Sequence, residues 1–133
     1  MSEEWNRRHS GSVNPADFLH FVYLDEFVAD WRMLYPADVD EKSLFALELA
    51  IMATPDGPPV IPGTGGLRKV RFGSVNEGKS GSNRICYALF PLHHIVVMVM
   101  AYPKNVKDNL TAEDKKGIKQ YLQIISDWLD VHS

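Results

Sequence analysis

The chain has 133 residues, of which 45% are hydrophobic and 23% charged, proportions typical of one globular domain. Its single cysteine, Cys86, excludes an internal disulfide, and no segment approaches the ~20 apolar residues of a membrane span. We therefore expect a cytoplasmic protein with no membrane partner. The charge is uneven, because residues 1–60 contain 4 Lys and Arg against 11 Asp and Glu, whereas residues 61–120 contain 10 against 4. This polarity favours an anionic partner at the basic region.

The first half of the chain predicts a tail, a strand and two helices. Residues 1–17 lack periodicity and predict a flexible N-terminal tail ahead of a single domain at 18–133. An aromatic and β-branched run at 18–24 indicates the first strand. Asp25 then suits the N-cap of a helix that ends before Pro36, and Asp40 suits the start of a second helix. The expected apolar side of that second helix consists of Leu44, Leu47, Leu49, Ala50 and Ile51.

The second half predicts three strands and a final helix. A Pro- and Gly-rich loop at 54–66 precedes strands at 67–72, 83–90 and 95–102, the last of which is apolar enough for a central position. Thr111 and Asp114 resemble a capping arrangement that opens a helix at 112–131. Its apolar stripe comprises Ile118, Tyr121, Leu122, Ile125, Trp128 and Leu129. We expect Tyr121 and Trp128 in the core, with contact to a partner or a second copy as the alternative.

The element order β-α-α-β-β-β-α predicts an α+β fold, in which a helical hairpin and a C-terminal helix pack on a small, antiparallel-rich sheet. If the last three strands form a meander, a group of basic and tyrosine side chains gathers at one end of the sheet. The turn that contains His93 and His94 then lies at the other end. The group consists of Arg71, Lys79, Arg84, Tyr102 and Lys104, with Arg68 and Lys69 further back along their strand. Whether Tyr102 shares a face with Arg84 depends on a register that the sequence leaves open.

Clustered cations on a sheet suit the phosphates of a single-stranded nucleic acid and the charge that develops at an attacked phosphorus. RNA cleavage needs no metal or cofactor when the neighbouring 2′-hydroxyl is the nucleophile. A Lys or Tyr side chain can then transfer protons if nearby cations lower its pKa. The alternative is a solubilising surface whose side-chain stems pack on aromatic rings. A metal site is not expected, because the adjacent His93 and His94 point in opposite directions and Cys86 lies mid-strand.

Several separate motifs occur in an order that resembles the RelE/HigB superfamily of bacterial toxins from type II toxin–antitoxin systems. The similarity is to the HigB-like branch, and it extends over roughly residues 20–125. The motifs that carry it are GTGGLRKVR at 63–71, GKSG at 78–81, RICY at 84–87, YPKN at 102–105 and LTAEDKK at 110–116.

The resemblance implies a RelE-like toxin domain and a metal-independent, ribosome-dependent mRNA interferase, an endoribonuclease that inhibits translation. Its partners would be mRNA on the ribosome and a cognate antitoxin of helix-turn-helix type, and a homodimer is a further possibility. By position, the resemblance implies catalytic roles for Arg68, Arg71, Lys79, Arg84 and Tyr102, and RNA-binding roles for Lys69 and Lys104. The alternative function is a catalytically silent protein of the same fold that binds an antitoxin-like regulator, or RNA without cleavage.

Overall fold

The computed structural model describes residues 18–73, 83–106 and 110–132, so the predicted tail at 1–17 lies outside the described residues. The strands are β1 (His20–Tyr23), β2 (Leu67–Phe72), β3 (Asn83–Phe90) and β4 (Ile95–Pro103). The helices are α1 (Asp25–Leu34), α2 (Lys42–Ala53) and α3 (Ala112–His132), and a short 3₁₀ turn covers Pro91–His93. Within the described ranges, no helix has both the length and the apolar composition needed to cross a membrane.

The four strands form one mixed sheet in the order β1-β4-β3-β2. Strands β2, β3 and β4 pair antiparallel, as the predicted meander requires, whereas β1 pairs parallel to β4. Strand β4 is therefore internal, and its apolar run is covered on both faces, as its composition predicted. The predicted α+β class, with an antiparallel-rich sheet, is confirmed.

Helices cover both faces of the sheet. On one face, α1 and α2 bury a core that includes Phe27, Trp31, Leu47 and Tyr87. On the other face, α3 packs through Leu122 against the side chains of all three antiparallel strands. The members of this second cluster from the strands are Leu67, Cys86, Ala88, Val97 and Val99. Burial of apolar surface on both faces explains why β4 and most of β3 are nearly continuous apolar runs.

The start of α1 differs from the sequence-based prediction, and the start of α2 involves a second carboxylate. Asp25 is the first residue of α1 and not its N-cap, a position that Leu24 occupies without a side-chain hydrogen bond. Asp25 still favours the helix, because a carboxylate in the first turn complements the helix dipole. Helix α2 begins at Lys42, whose backbone amide donates to the Asp40 carboxylate at 3.3 Å, so Asp40 lies at the helix start as predicted. The Asp38 carboxylate accepts hydrogen bonds from the backbone amides of Ser43 and Leu44, at 2.7 and 3.1 Å.

The apolar side predicted for α2 is only partly correct. Leu47 and Ile51 are buried, whereas Leu49 and Ala50 are exposed. The apolar residues of α2 extend around more of the helix than the sheet can cover, so composition alone does not identify the buried side.

Helix α3 begins as predicted. The Thr111 hydroxyl accepts a hydrogen bond from the Asp114 backbone amide, and the Asp114 carboxylate accepts one from the Thr111 backbone amide, each at 3.0 Å. The prediction that Tyr121 and Trp128 belong to the core is wrong, since they are 44% and 58% exposed. The side chains that face the sheet are Ile118, Leu122 and Ile125. The apolar stripe predicted from the sequence combined this side of the helix with the adjacent, exposed side that carries Tyr121 and Trp128.

Candidate nucleic-acid interface

Three of the predicted site residues form a row across the sheet. Arg71 of β2 pairs with Arg84 of β3, and Arg84 pairs in turn with Tyr102 of β4. Residues directly opposite one another on neighbouring strands project from the same face, with Cβ atoms ~5 Å apart. Tyr102 packs with the cluster beneath α3, so the whole row projects from the α3 side of the sheet. We call Arg71, Arg84 and Tyr102 the cross-strand row.

A β-bulge determines which residue of β4 completes the row. The pairing of β3 with β4 shifts between Cys86 and Tyr87, whose partners are Met100 and Met98. Val99 is thus the extra residue of β4, and an uninterrupted ladder would bring Ala101, not Tyr102, opposite Arg84. The register that sequence left open is therefore set by one inserted residue.

Arg84 is held in an unusual environment. Its side chain is half-buried, and its Nη1 atom is buried with no hydrogen-bond partner among the described residues. A buried guanidinium nitrogen without an acceptor carries a desolvation penalty that an anionic ligand would remove. Arg71, its neighbour in the row, is exposed. The row therefore combines an exposed cation with a half-buried one whose Nη1 atom has no partner among the described residues.

A cavity of about 610 Å³ opens beside the two arginines at the edge of β2. Lys69, Arg71 and Arg84 supply its cations, and Pro58 and Pro59 line it as well. The backbone amide of Lys69 donates to the carbonyl oxygen of Pro59 at 3.1 Å, which fastens this proline segment against the strand. Three of the predicted site residues thus border one concave, positively charged space with a rigid apolar side.

Acidic groups are absent from the strands around this space. Strands β2, β3 and β4 contain no Asp or Glu, so no carboxylate on these strands competes with an anion for the arginines. Among the described ranges, no group of three or more His, Cys, Asp and Glu side chains is arranged to hold a metal ion. The local chemistry is that of an anion-binding surface.

Arg68 belongs to a different environment from the rest of the predicted site. It pairs with Tyr87, whose ring lies in the core on the α1–α2 side of the sheet. The Nη1 atom of Arg68 donates to the carbonyl oxygens of Asp56 and Pro58, at 2.9 and 2.7 Å. The Tyr87 hydroxyl donates to the carbonyl oxygen of Pro55 at 2.7 Å. The structure therefore separates Arg68 from the cross-strand row and ties it to the loop that borders the cavity.

Burial raises the pKa of Tyr87 to about 12, against an opposing effect of the nearby Arg68 and a reinforcing one of Asp56. Tyr87 therefore remains protonated and can keep its hydrogen bond to the loop throughout the neutral range. The hydrogen bonds of Arg68 and Tyr87 hold residues 55–58 against the α1–α2 side of the sheet. Pro58 of this segment lines the cavity.

The remaining site residues lie at the margin of the described region. Lys104 is exposed and follows the last residue of β4, one position beyond Pro103, the partner of Asn83. Lys79 lies outside the described residues. His93 is at the opposite end of the β3–β4 hairpin, where its Nε2 atom lies 2.9 Å from Oδ1 of Asp130. The expected separation of the histidine turn from the cation group is confirmed.

Two features of this site escaped the sequence analysis. The bulge at Val99 has no sequence signal, because an apolar run without Gly or Pro predicts a regular strand. The Pro58-Pro59 pair did have a signal, since consecutive prolines mark a rigid extended segment, but nothing in the sequence indicates which strand it lines. No model of a known protein family matches the chain.

Proposed function

We propose that the α3-side end of the sheet binds RNA and cleaves it, and that the protein is a translation-inhibiting toxin of the RelE/HigB type. The observation that carries this proposal is the cross-strand row, in which two arginines and a tyrosine from three strands project side by side. The adjoining cavity adds Lys69 and an apolar surface of two prolines.

The chemistry follows from the residue types in the row. A phosphodiester lying across the strands would have Arg71 and Arg84 beside its non-bridging oxygens, where two fixed cations stabilise the charge of a pentacoordinate phosphorane. The attacking group is the 2′-hydroxyl of the preceding ribose. Its oxygen loses a proton and forms a bond to phosphorus, the bond from phosphorus to the 5′-oxygen breaks, and that oxygen takes up a proton, so the products are a 2′,3′-cyclic phosphate and a free 5′-hydroxyl.

Tyr102 is the group in the row that can move a proton, and we assign it to proton transfer at this phosphodiester. Lys69 and Lys104 contribute charge that holds the neighbouring phosphates. No step of this reaction requires a metal ion. Arg68 takes no part in the chemistry under this proposal, and it supports the loop beside the cavity instead.

The motifs at 63–71, 78–81, 84–87 and 102–105 support the assignment to mRNA cleavage on the ribosome, because the row draws on three of them. The same resemblance motivates an antitoxin partner of helix-turn-helix type. A short gene of that type immediately beside the one that encodes this chain is the expected genetic context.

The test is growth after induced expression in a bacterial host without an antitoxin. We expect wild-type protein to arrest growth, Arg84→Ala to relieve the arrest, and Arg32→Ala to leave it intact. Arg32 is the matched control, since it is an exposed arginine on α1. Circular dichroism of each purified variant establishes that it is folded.

The outcomes separate the candidate functions. Unchanged arrest by a folded Arg84→Ala variant would remove Arg84 from the site. A folded, abundant wild-type protein that leaves growth unaffected would refute the enzyme proposal. Salt-dependent RNA binding with intact mRNA would then identify a binding protein without cleavage activity.

A further inference from the structure

Helix α3 carries a second apolar stripe that does not face the sheet. Tyr121, Ile124, Trp128 and Val131 are 44%, 64%, 58% and 78% exposed. They follow one another at intervals of three, four and three residues, the spacing of the a and d positions along the seam of a two-stranded coiled coil. A helix that needed only to pack on its own sheet would have polar residues at these positions. We call these four residues the outer stripe.

Gly117 extends the outer stripe toward the helix N-terminus, four residues before Tyr121. A glycine inside an exposed helix costs ~1 kcal/mol relative to alanine. A Cβ atom added at Gly117 would meet no neighbouring heavy atom within 4 Å, so packing within the described part of the chain does not require a glycine here. A glycine does become useful where a second backbone or a large side chain approaches the helix closely.

The charges beside the outer stripe are arranged so that α3 complements itself in the reverse direction. Lys116 precedes Gly117, and Asp127 precedes Trp128. If two α3 helices run antiparallel with Gly117 opposite Trp128 of the second copy, Lys116 falls beside Asp127 of that copy. Two-fold symmetry then repeats both contacts, and Tyr121 meets Ile124 at the centre. The contact of the small Gly117 with the large Trp128 and the contact of Lys116 with Asp127 therefore occur in the same register.

We propose that the outer stripe is an interface with a second copy of this chain, in which the two α3 helices pair antiparallel through the contacts of Gly117 with Trp128 and of Lys116 with Asp127. The segment that pairs with itself in this register, residues 117–128, is about 16 Å long at 1.5 Å per residue. Such an interface lies at the small end of specific contacts, so we expect a dissociation constant on the order of 10 μM. The inference does not depend on RNA cleavage.

The experiment is sedimentation velocity of the full chain over a concentration series that spans this value. Arg84→Ala serves as the background if the wild-type protein arrests growth, because Arg84 is not part of the outer stripe. We expect a concentration-dependent dimer. Trp128→Ala should raise the dissociation constant at least about tenfold, as expected for the loss of a large aromatic anchor. Leu92→Ala is the matched control, since Leu92 is 89% exposed on the turn before β4 and should change nothing.

Charge exchange tests the register and the direction of the helices. Lys116→Glu and Asp127→Lys should each weaken the dimer several-fold by placing like charges together, and the double variant should restore it. The two residues are eleven positions apart on one helix, about 16 Å, so recovery requires two chains. A monomer throughout the series, an unaffected Trp128→Ala dimer or a double variant as weak as the single ones would each overturn the proposal.

Discussion

Strand β2 sends cations to both faces of the sheet, and the two faces use them in different ways. Toward α1 and α2, Arg68 donates to two loop carbonyl oxygens within 2.9 Å and lies beside the buried Tyr87. Toward α3, Arg71 is exposed and lies beside Arg84, whose buried Nη1 atom has no partner among the described residues. The two faces of the sheet thus differ, because the guanidinium of Arg68 already has acceptors, whereas the buried Nη1 atom of Arg84 has none among the described residues.

The cations of one basic segment can serve different purposes, so the segment as a whole is not one site. Side chains alternate between the faces of a strand, so Arg68 and Lys69 are separated by the sheet although they are adjacent in sequence. A cation that is already bound to backbone carbonyls contributes to stability. A cation whose donors lack acceptors remains available for a ligand. Variants of Arg68 and of the cross-strand row should therefore differ in whether they lose stability or activity.

The largest expected effect is on catalysis by Arg84. Replacing it with alanine should lower the rate of mRNA cleavage at least about a hundredfold, the usual loss when one donor to a developing oxyanion is removed. Arg84→Lys should recover only part of the rate, because lysine lacks the planar fork. The free energy of unfolding should not fall, since the buried nitrogen has no partner to lose. Loss of activity together with a large loss of stability would mean that Arg84 contributes to folding and not only to ligand binding.

Arg68 should show the opposite pattern. Arg68→Met keeps most of the aliphatic stem but removes the donors to Asp56 and Pro58, so we expect about 2 kcal/mol lower free energy of unfolding. Cleavage per folded molecule should change by less than about threefold, because the residue faces away from the row. Urea denaturation and rates corrected for the folded fraction measure the two quantities. An inactive but stable Arg68→Met protein would assign Arg68 to the proposed RNA-cleaving site.

Arg71 should affect RNA binding more than chemistry. Arg71 is an exposed cation beside the cavity, so Arg71→Ala should weaken RNA affinity about five- to tenfold. The slope of log affinity against log salt should decrease by about one, as for one lost phosphate contact. Fluorescence anisotropy with a labelled single-stranded RNA measures both values, with Arg32→Ala as the control. An unchanged salt slope would mean that Arg71 does not meet a phosphate.

The smallest effect concerns Tyr87, which supports the same loop as Arg68. Tyr87→Phe removes the hydrogen bond to the Pro55 carbonyl, and we expect ~1 kcal/mol lower stability at neutral pH. Burial raises the pKa of Tyr87 in the folded protein to about 12, above the ordinary value of 10.0. The wild-type protein should therefore lose stability as pH rises through this window, and Tyr87→Phe should lose less. Urea denaturation at pH 7 and pH 11 tests this, and parallel pH dependence of the two proteins would contradict it.

Much of the fold could be predicted from sequence because local signals agree with the final packing. The Thr111–Asp114 cap, the apolar β4 run and the separation of His93 from the cations all follow from short-range rules. Helix starts were less predictable, since several acidic residues precede α2 and only the fold brings Asp38 to the Ser43 and Leu44 amides.

The site was predictable in composition but not in geometry. The cation-rich segments identified Arg71 and Arg84 as neighbours at one end of the sheet. Whether Tyr102 joins them depends on the bulge at Val99, which one extra residue in β4 creates without any special residue type. The removal of Arg68 from the group depends on contacts with a loop twelve residues earlier, and such long-range contacts leave no pattern in the sequence.

We expect the cross-strand row to cleave RNA through the 2′-hydroxyl. Mapping the 3′ ends of an mRNA after incubation with translating ribosomes and the purified protein tests this proposal directly. New ends with a 2′,3′-cyclic phosphate should appear for the wild-type and Arg68→Met proteins, and none for Arg84→Ala. Intact mRNA with the wild-type protein, or cuts that leave a 3′-hydroxyl, would contradict it.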